Sequence, residues 1–167
     1  MSFINGKIFY NKEYDIDLFE IEKYGNYYNK VREKIDIGYK PIIVSSDLMI
    51  NILKKYFTEK KADIVKIELL EEDIEYQEHI NKMIRTLKSN RDYFIDLIEE
   101  ISFLSDNDNV EIRCLRFKYT REQELIDISV SLNGSLNYTN NQTTKKELDG
   151  LKGIISKYLK WLYKNDI

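Results

Sequence analysis

The stretch Ile126-Asp-Ile-Ser-Val-Ser-Leu-Asn-Gly-Ser-Leu-Asn-Tyr138 decides the fold class, because it encodes two consecutive strands. Apolar and polar residues alternate strictly from Ile126 to Leu132, which is the period of a strand with one buried face. The alternation resumes at Leu136 after a short polar segment that contains a glycine. The pattern therefore predicts an antiparallel hairpin in the last third of the chain.

The parity of the apolar residues also predicts the loop of this hairpin. A three-residue loop that ends at Gly134 pairs Val130 with Leu136 and Ile128 with Tyr138, so that all four side chains share one face. A two-residue turn would mix polar and apolar side chains on both faces. We therefore predict the three-residue loop, with Gly134 in the left-handed conformation that forms a bulge.

The neighbouring segments extend the hairpin into a meander that is closed by a helix. Val110–Tyr119 is a predicted strand whose apolar parity shifts between Cys114 and Leu115, as a bulge or burial on both faces would require. After the hairpin, Thr144-Lys-Lys-Glu147 has the spacing of a capping box, and we expect a helix from there to about Lys164.

A strand–helix–strand pattern precedes the meander. Pro41-Ile-Ile-Val44 is a short apolar run, and Ser45-Ser46-Asp47 is typical of a helix start. An apolar helical face follows, and then a second predicted strand at Asp63–Leu70. This succession favours a right-handed parallel unit.

Between the parallel unit and the meander we expect two helices, Asp73–Lys88 and Arg91–Leu104, with a break at Ser89-Asn90. The predicted order is β-β-α-β-α-β-α-α-β-β-β-α. The expected class is α+β (mixed α/β), with one mostly antiparallel sheet, one parallel βαβ pair and helices packed mainly on one face. No linker or repeat interrupts residues 1–167, so we expect a single globular domain.

The composition excludes several classes of catalytic site. The chain of 167 residues has one histidine, His79, and one cysteine, Cys114, with a formal charge of −3. Zinc sites need three or four ligands of these types, and a hydrolase triad needs an oriented histidine. No glycine-rich phosphate loop occurs. The sequence therefore predicts no bound metal or cofactor and favours a binding protein over an enzyme.

The chain is rich in isoleucine, lysine, asparagine and tyrosine and has one alanine and one proline. This bias follows from AU-rich codons, so we expect a low-GC bacterium or one of its mobile elements. The first ten residues lack the basic segment and apolar run of a signal peptide, and the chain lacks an apolar stretch long enough to span a membrane. We therefore expect a cytoplasmic protein without a membrane partner.

One alternative is a Mg²⁺-dependent phosphohydrolase or nuclease. If the two strands of the parallel unit are neighbours, their carboxyl ends bring Asp47 close to Glu71, Glu72 and Asp73. Such carboxylates suit Mg²⁺ and phosphate chemistry. Acidic residues are also common in the first turns of helices, where they cap backbone N–H groups, and we favour that interpretation.

A second alternative is a nucleic-acid-binding accessory protein. Lys157, Lys160 and Lys164 fall near one face of the last helix, close to aromatic residues, and Arg113 and Arg116 lie on a predicted strand. Lysines with aromatics suit phosphate contacts and base stacking. A solvated helix face is the more common reason for such a stripe.

The function that the sequence favours is a small, non-catalytic protein that binds another protein. An immunity protein, an inhibitor of a defence system and a regulatory subunit all fit the composition and the near-neutral charge. A second copy of the chain is a further expected partner, through a free edge of the predicted sheet.

Overall fold

The computed structural model describes residues 2–21, 27–70 and 74–164, and its elements follow the predicted order. The strands are β1 (Phe3–Tyr10), β2 (Ile16–Glu20), β3 (Lys40–Pro41), β4 (Asp63–Leu69), β5 (Ile112–Arg121), β6 (Glu124–Ser131) and β7 (Ser135–Thr139). The helices are α1 (Tyr27–Asp36), α2 (Ser46–Glu59), α3 (Ile74–Ser89), α4 (Phe94–Asp108) and α5 (Gln142–Lys164). A short 3₁₀ turn at Arg91–Tyr93 leads into α4, and Asn90 caps it at the predicted break.

The strands form one sheet in the order β2-β1-β7-β6-β5-β4, and β3 pairs with β1 beyond the end of β7. Every strand pairing within the described residues is antiparallel. The α+β class and the mostly antiparallel sheet are therefore confirmed.

The predicted hairpin is confirmed in its register and in its loop. Val130 pairs with Leu136, and Ile128 pairs with Tyr138. Gly134 has a φ of +83°, and a Cβ atom at this position would lie 2.8 Å from the carbonyl oxygen of Ile42. Only glycine accepts both the left-handed backbone and this close approach.

The strand before the hairpin contains a bulge, one of the two features that its shift in apolar parity indicated. Glu68 pairs with Cys114 and the next residue, Leu69, pairs with Ile112, so β5 has one residue more than β4 at this point. The extra residue, Arg113, lets Ile112 and Leu115 both reach the core.

The predicted parallel pair is wrong. Residues 41–44 do not lie beside β4, because their backbone groups bond elsewhere: Ile42 N donates to Ile8 O at 3.0 Å, and Val44 N donates to Leu132 O at 2.8 Å. β6 and β5 separate this segment from β4, which runs in the opposite direction. A strand–helix–strand pattern fits a parallel pair of neighbours, and it fits two strands that lie far apart in an antiparallel sheet equally well. The local sequence therefore did not distinguish the two arrangements.

Most helices cover one face of the sheet, as predicted, and α1 is the exception. The main core includes Ile8 and Leu148, but Phe9, which is fully buried, lies outside this cluster. Phe9 contacts Phe19 on the opposite face, where Lys30 of α1 lies over the Phe19 ring. The pleat of β1 therefore sends alternate side chains into two separate apolar clusters.

The long helix α5 begins before the predicted capping box. Asn141 Oδ1 accepts the backbone N–H of Thr144 at 2.7 Å, and the buried Thr144 hydroxyl bonds to Thr139. Glu147 does not reach back to the cap, because it forms ion pairs with Lys60 and Arg121. Thr144 and Glu147, the two residues of the predicted capping box, therefore join α5 to the sheet and to the end of α2.

Candidate groove between α2 and α5

The helices α2 and α5 lie side by side and run in opposite directions. Their two ends are joined by hydrogen bonds, one between the hydroxyls of Ser45 and Tyr158 at 3.3 Å and one from the Tyr56 hydroxyl to Glu147 O at 3.4 Å. A groove of about 760 Å³ runs between the outer sides of the helices. Its lining consists of Asn51, Lys54, Lys55, Thr58 and Glu59 from α2, and Gly150, Gly153, Ile154, Lys157, Tyr158 and Trp161 from α5.

The groove has an excess of positive charge. Lys55 pairs with Glu59 at 2.8 Å. Within the described residues, Lys54 and Lys157 have no carboxylate oxygen within 4.0 Å. The net charge of the lining is therefore positive, although the whole chain is acidic, and acidic groups spread along the groove would meet two uncompensated ammonium groups.

An exposed aromatic surface lies at one end of the groove. Trp161 is 60% exposed, and its ring centroid lies 6.1 Å from that of Tyr158. Exposed tryptophan is unusual, since this side chain gains more from burial than most others. The aromatic pair therefore provides apolar area that a bound molecule would cover.

The wall formed by α5 has two glycines in the middle of a helix. A Cβ atom on Gly150 or Gly153 would meet nothing within 4 Å. A mid-helix glycine costs about 0.5–1 kcal/mol relative to alanine. Contacts inside the described chain do not explain this cost, because alanine would fit at both positions.

An ion-pair cluster joins the start of α5 to the end of α2 and to the sheet. Glu147 is nearly buried, and it lies 3.3 Å from Lys60 Nζ and 3.0 Å from Arg121 Nη1. Burial raises the pKa of Tyr56 and of Tyr119 well above the usual value, and the negative charge of Glu147 adds to this effect. Both phenols are therefore neutral at ordinary pH, and the cluster fixes the ends of α2 and α5 relative to the sheet.

The predicted lysine stripe belongs only in part to this groove. Lys157 lines the groove, whereas Lys160 and Lys164 are exposed outside its lining. The structure therefore combines Lys157 with Lys54, from a different helix, rather than with its sequence neighbours.

The two arginines predicted for nucleic acid have carboxylate partners on the sheet. Arg113 Nη1 lies 3.6 Å from Glu68, and Arg116 donates two hydrogen bonds to Asp127 at 2.9 and 2.7 Å. The hydrogen bonds from Arg116 to Asp127 raise the pKa of this arginine. Neither guanidinium is an uncompensated positive charge.

The predicted carboxylate cluster is only partly within the described residues. Asp47 is exposed in the first turn of α2, next to Ser45, whose hydroxyl accepts the N–H of Leu48. Glu71, Glu72 and Asp73 lie outside the described residues. The end of β4 and the start of α2 do approach each other, since Ser46 Oγ accepts the N–H of Ile112 and Leu69 pairs with the same residue.

His79 and Cys114 do not form a reactive pair. His79 Nε2 lies 3.7 Å from Glu100 on the neighbouring helix. Cys114 is half-buried, with its sulfur 3.7 Å from the carbonyl oxygen of Leu115. In the part of the chain that the structure describes, no three His, Cys, Asp or Glu residues are grouped so that they would hold a metal ion.

Sequence reasoning missed the α2 side of the groove. Lys54 and Lys55 belong to an ordinary amphipathic helix, and only the packing of α2 against α5 gives them a common surface with Lys157. Gly150 and Gly153 were a usable signal, because two glycines three residues apart are unfavourable within a 23-residue helix.

Among the described residues, no helix has the length and apolar character needed to cross a lipid bilayer. Comparisons of the chain with family models, curated proteins and solved structures found no match.

Proposed function

We propose that this chain is an intracellular, non-catalytic binding protein that takes an acidic segment of another protein into the α2/α5 groove. The observation that carries the proposal is the pair of uncompensated lysines, Lys54 and Lys157, on opposite walls of a groove with an exposed tryptophan. Aromatic anchors combined with complementary charge are typical of protein interfaces.

The distribution of charge favours a protein over a nucleic acid. Phosphate backbones are bound by extended rows of free cations, and the affinity rises with the number neutralised. The groove has two such lysines, and Glu59 lies among its lining residues. Arg113 and Arg116 are paired with Glu68 and Asp127 on the sheet and add no free charge.

Three kinds of binding protein fit this proposal: an immunity protein, an inhibitor of a defence system and a regulatory subunit. Each acts by covering a surface of its partner, and none needs catalytic groups of its own. A low-GC bacterium or one of its mobile elements is the proposed source, on the grounds of composition.

A selection from a displayed random library of 16-residue peptides tests the proposal. The wild-type protein is the bait, and recovered peptides are titrated while Trp161 fluorescence is recorded. Trp161 is the only tryptophan of the chain and lines the groove, so its emission reports occupancy directly. We expect peptides rich in Asp and Glu, whose affinity falls at least tenfold with Lys54→Glu and with Lys157→Glu.

Lys160→Glu is the matched control, because it makes the same charge change on α5 outside the groove lining. It should leave peptide affinity within about twofold. The proposal is wrong if the selection yields no peptide that depends on Lys54 and Lys157. It is also wrong if single-stranded oligonucleotides bind more tightly than peptides and all three lysines contribute equally, since that outcome favours nucleic acid.

A further inference from the structure

The walls of the groove restrict the backbone conformation of any peptide inside it. The lining residues come from the interiors of two helices, where backbone N–H and C=O groups already bond to each other. The hydroxyl of Thr58, one of the few neutral polar groups in the lining, already donates to Lys54 O. An extended peptide would lose water from its backbone without gaining partners, whereas a helix bonds its own backbone groups.

The glycines determine how closely such a helix can approach. Gly150 and Gly153 are one turn apart on the exposed side of α5, and both line the groove. Without Cβ atoms, this turn presents bare backbone to the groove. Small residues at a helix crossing let two helix axes come closer than the usual 8–10 Å. The unfavourable glycines then have a physical role, which is close contact with a second chain.

The lysines determine where the acidic residues of the helix lie. Ser45 faces Tyr158 and Tyr56 faces Glu147, so that Lys54 lies at about the level of residue 149 on α5. Lys157 is then about eight residues, or about 12 Å, further along the groove. Two carboxylates separated by about two helical turns would reach both ammonium groups from one face of a helix.

From these three observations we infer that the occupant is an amphipathic α-helix of a partner protein. This helix crosses α5 at Gly150 and Gly153 and carries acidic residues about two turns apart, one for Lys54 and one for Lys157. The inference rests on the proposed function, because it specifies the partner of the same groove. A helix that fills the groove from Gly150 to Trp161 has about twelve residues, or slightly more than three turns.

Alanine substitutions of the glycines test this inference, because they should affect stability and binding in opposite directions. Gly150→Ala and Gly153→Ala should each raise the Tm of the free protein by about 2–4 °C, since alanine favours the helix and meets no neighbour. The double variant should bind the library-selected peptides at least tenfold more weakly in the Trp161 titration. Lys160→Ala, an exposed position of α5 outside the groove lining, is the control and should leave binding unchanged.

The selected peptides provide a second measurement. A central proline should abolish their binding, and a side-chain staple between positions four residues apart should strengthen it. If the glycine variants bind normally and proline is tolerated, while Lys54→Glu still abolishes binding, the helix inference is wrong and the groove function stands. If the lysine variants have no effect either, the proposed function itself is wrong.

Discussion

Arg116 and Asp127 form a bidentate ion pair across β5 and β6, with N–O distances of 2.9 and 2.7 Å. The two residues are diagonal neighbours, because Arg116 is in register with Ser129 and Asp127 with Lys118. Asp127 is 4% exposed, whereas the Arg116 side chain is 42% exposed. The charge of the buried Asp127 carboxylate is therefore balanced by the Arg116 guanidinium, which is itself partly exposed to solvent.

Arg116→Met should leave Asp127 buried without its partner and lower the free energy of unfolding by about 2–3 kcal/mol. Chemical denaturation at pH 7 measures this change. The control is Lys160→Met, an exposed lysine of α5 away from the β5–β6 pair, which should change stability by less than about 0.5 kcal/mol. Equal losses in the two variants would contradict a specific role for the pair.

The Tyr119 hydroxyl is buried and has no hydrogen-bond partner of good geometry among the described residues. Tyr119→Phe removes this unsatisfied group and should raise the free energy of unfolding by about 1 kcal/mol. The negative charge of Glu147 also opposes ionisation of the phenol, and Glu147 stays paired with Lys60 and Arg121 in the variant.

The same variant should change the alkaline limit of stability. The pKa values of Tyr56 and Tyr119 are raised in the folded protein, chiefly by burial. Their contribution to stability is therefore complete below the unfolded pKa of about 10 and is lost as the pH rises above it. Thermal melts from pH 8 to 11 should show a smaller loss for Tyr119→Phe, whereas the surface variant Tyr28→Phe should follow the wild type.

Gln77 caps the β4 edge of the sheet. Its side-chain amide donates to Ile67 O and accepts from Leu69 N, both at 2.8 Å, so α3 supplies the partners that a further strand would supply. Gln77→Leu should lower the free energy of unfolding by about 1–2 kcal/mol and expose a strand edge that pairs with other chains. Light scattering measures the resulting association. Glu78→Leu adds the same apolar side chain to α3 and leaves the edge capped, so it should stay dispersed.

The turn between β5 and β6 is strained. Glu122 and Gln123 have φ values of 54° and 66°, and Arg121 pairs with Glu124, as in a two-residue type I′ turn. This turn favours Asn-Gly, so the double substitution Glu122→Asn and Gln123→Gly should raise the free energy of unfolding by about 1 kcal/mol. Replacing both residues with alanine keeps the strain and should give no gain. If the alanine variant were also more stable, the strain would come from the side chains of Glu122 and Gln123 rather than from their backbone conformation.

The sequence alone predicted the order of elements and the hairpin register. Strand side chains alternate with a period of two, so a shift of one residue would place Ile128 and Val130 in solvent. The burial of one face therefore selected a single pairing with Leu136 and Tyr138. A bulge in β5 was one of two explanations for the parity shift between Cys114 and Leu115, and the structure places it at Arg113.

Local patterns did not predict which segments meet across the fold. Pro41–Val44 has the composition of a buried parallel strand, yet its backbone partners are Ile8 and Leu132. Thr144 and Glu147 have the spacing of a capping box, but Thr139 and two distant cations bind them instead. In each case a long-range partner replaced a local one, and local spacing contains no information about that competition.

The groove likewise combines features that the sequence predicts with features that only tertiary packing decides. The sequence determined that α2 and α5 are amphipathic helices, because the period of their apolar residues needs no partner to be recognised. The tertiary structure decided that Lys54 and Lys157 line opposite walls of one groove, together with Gly150 and Gly153. Charges on separate helices acquire a common field only when packing fixes the helices side by side.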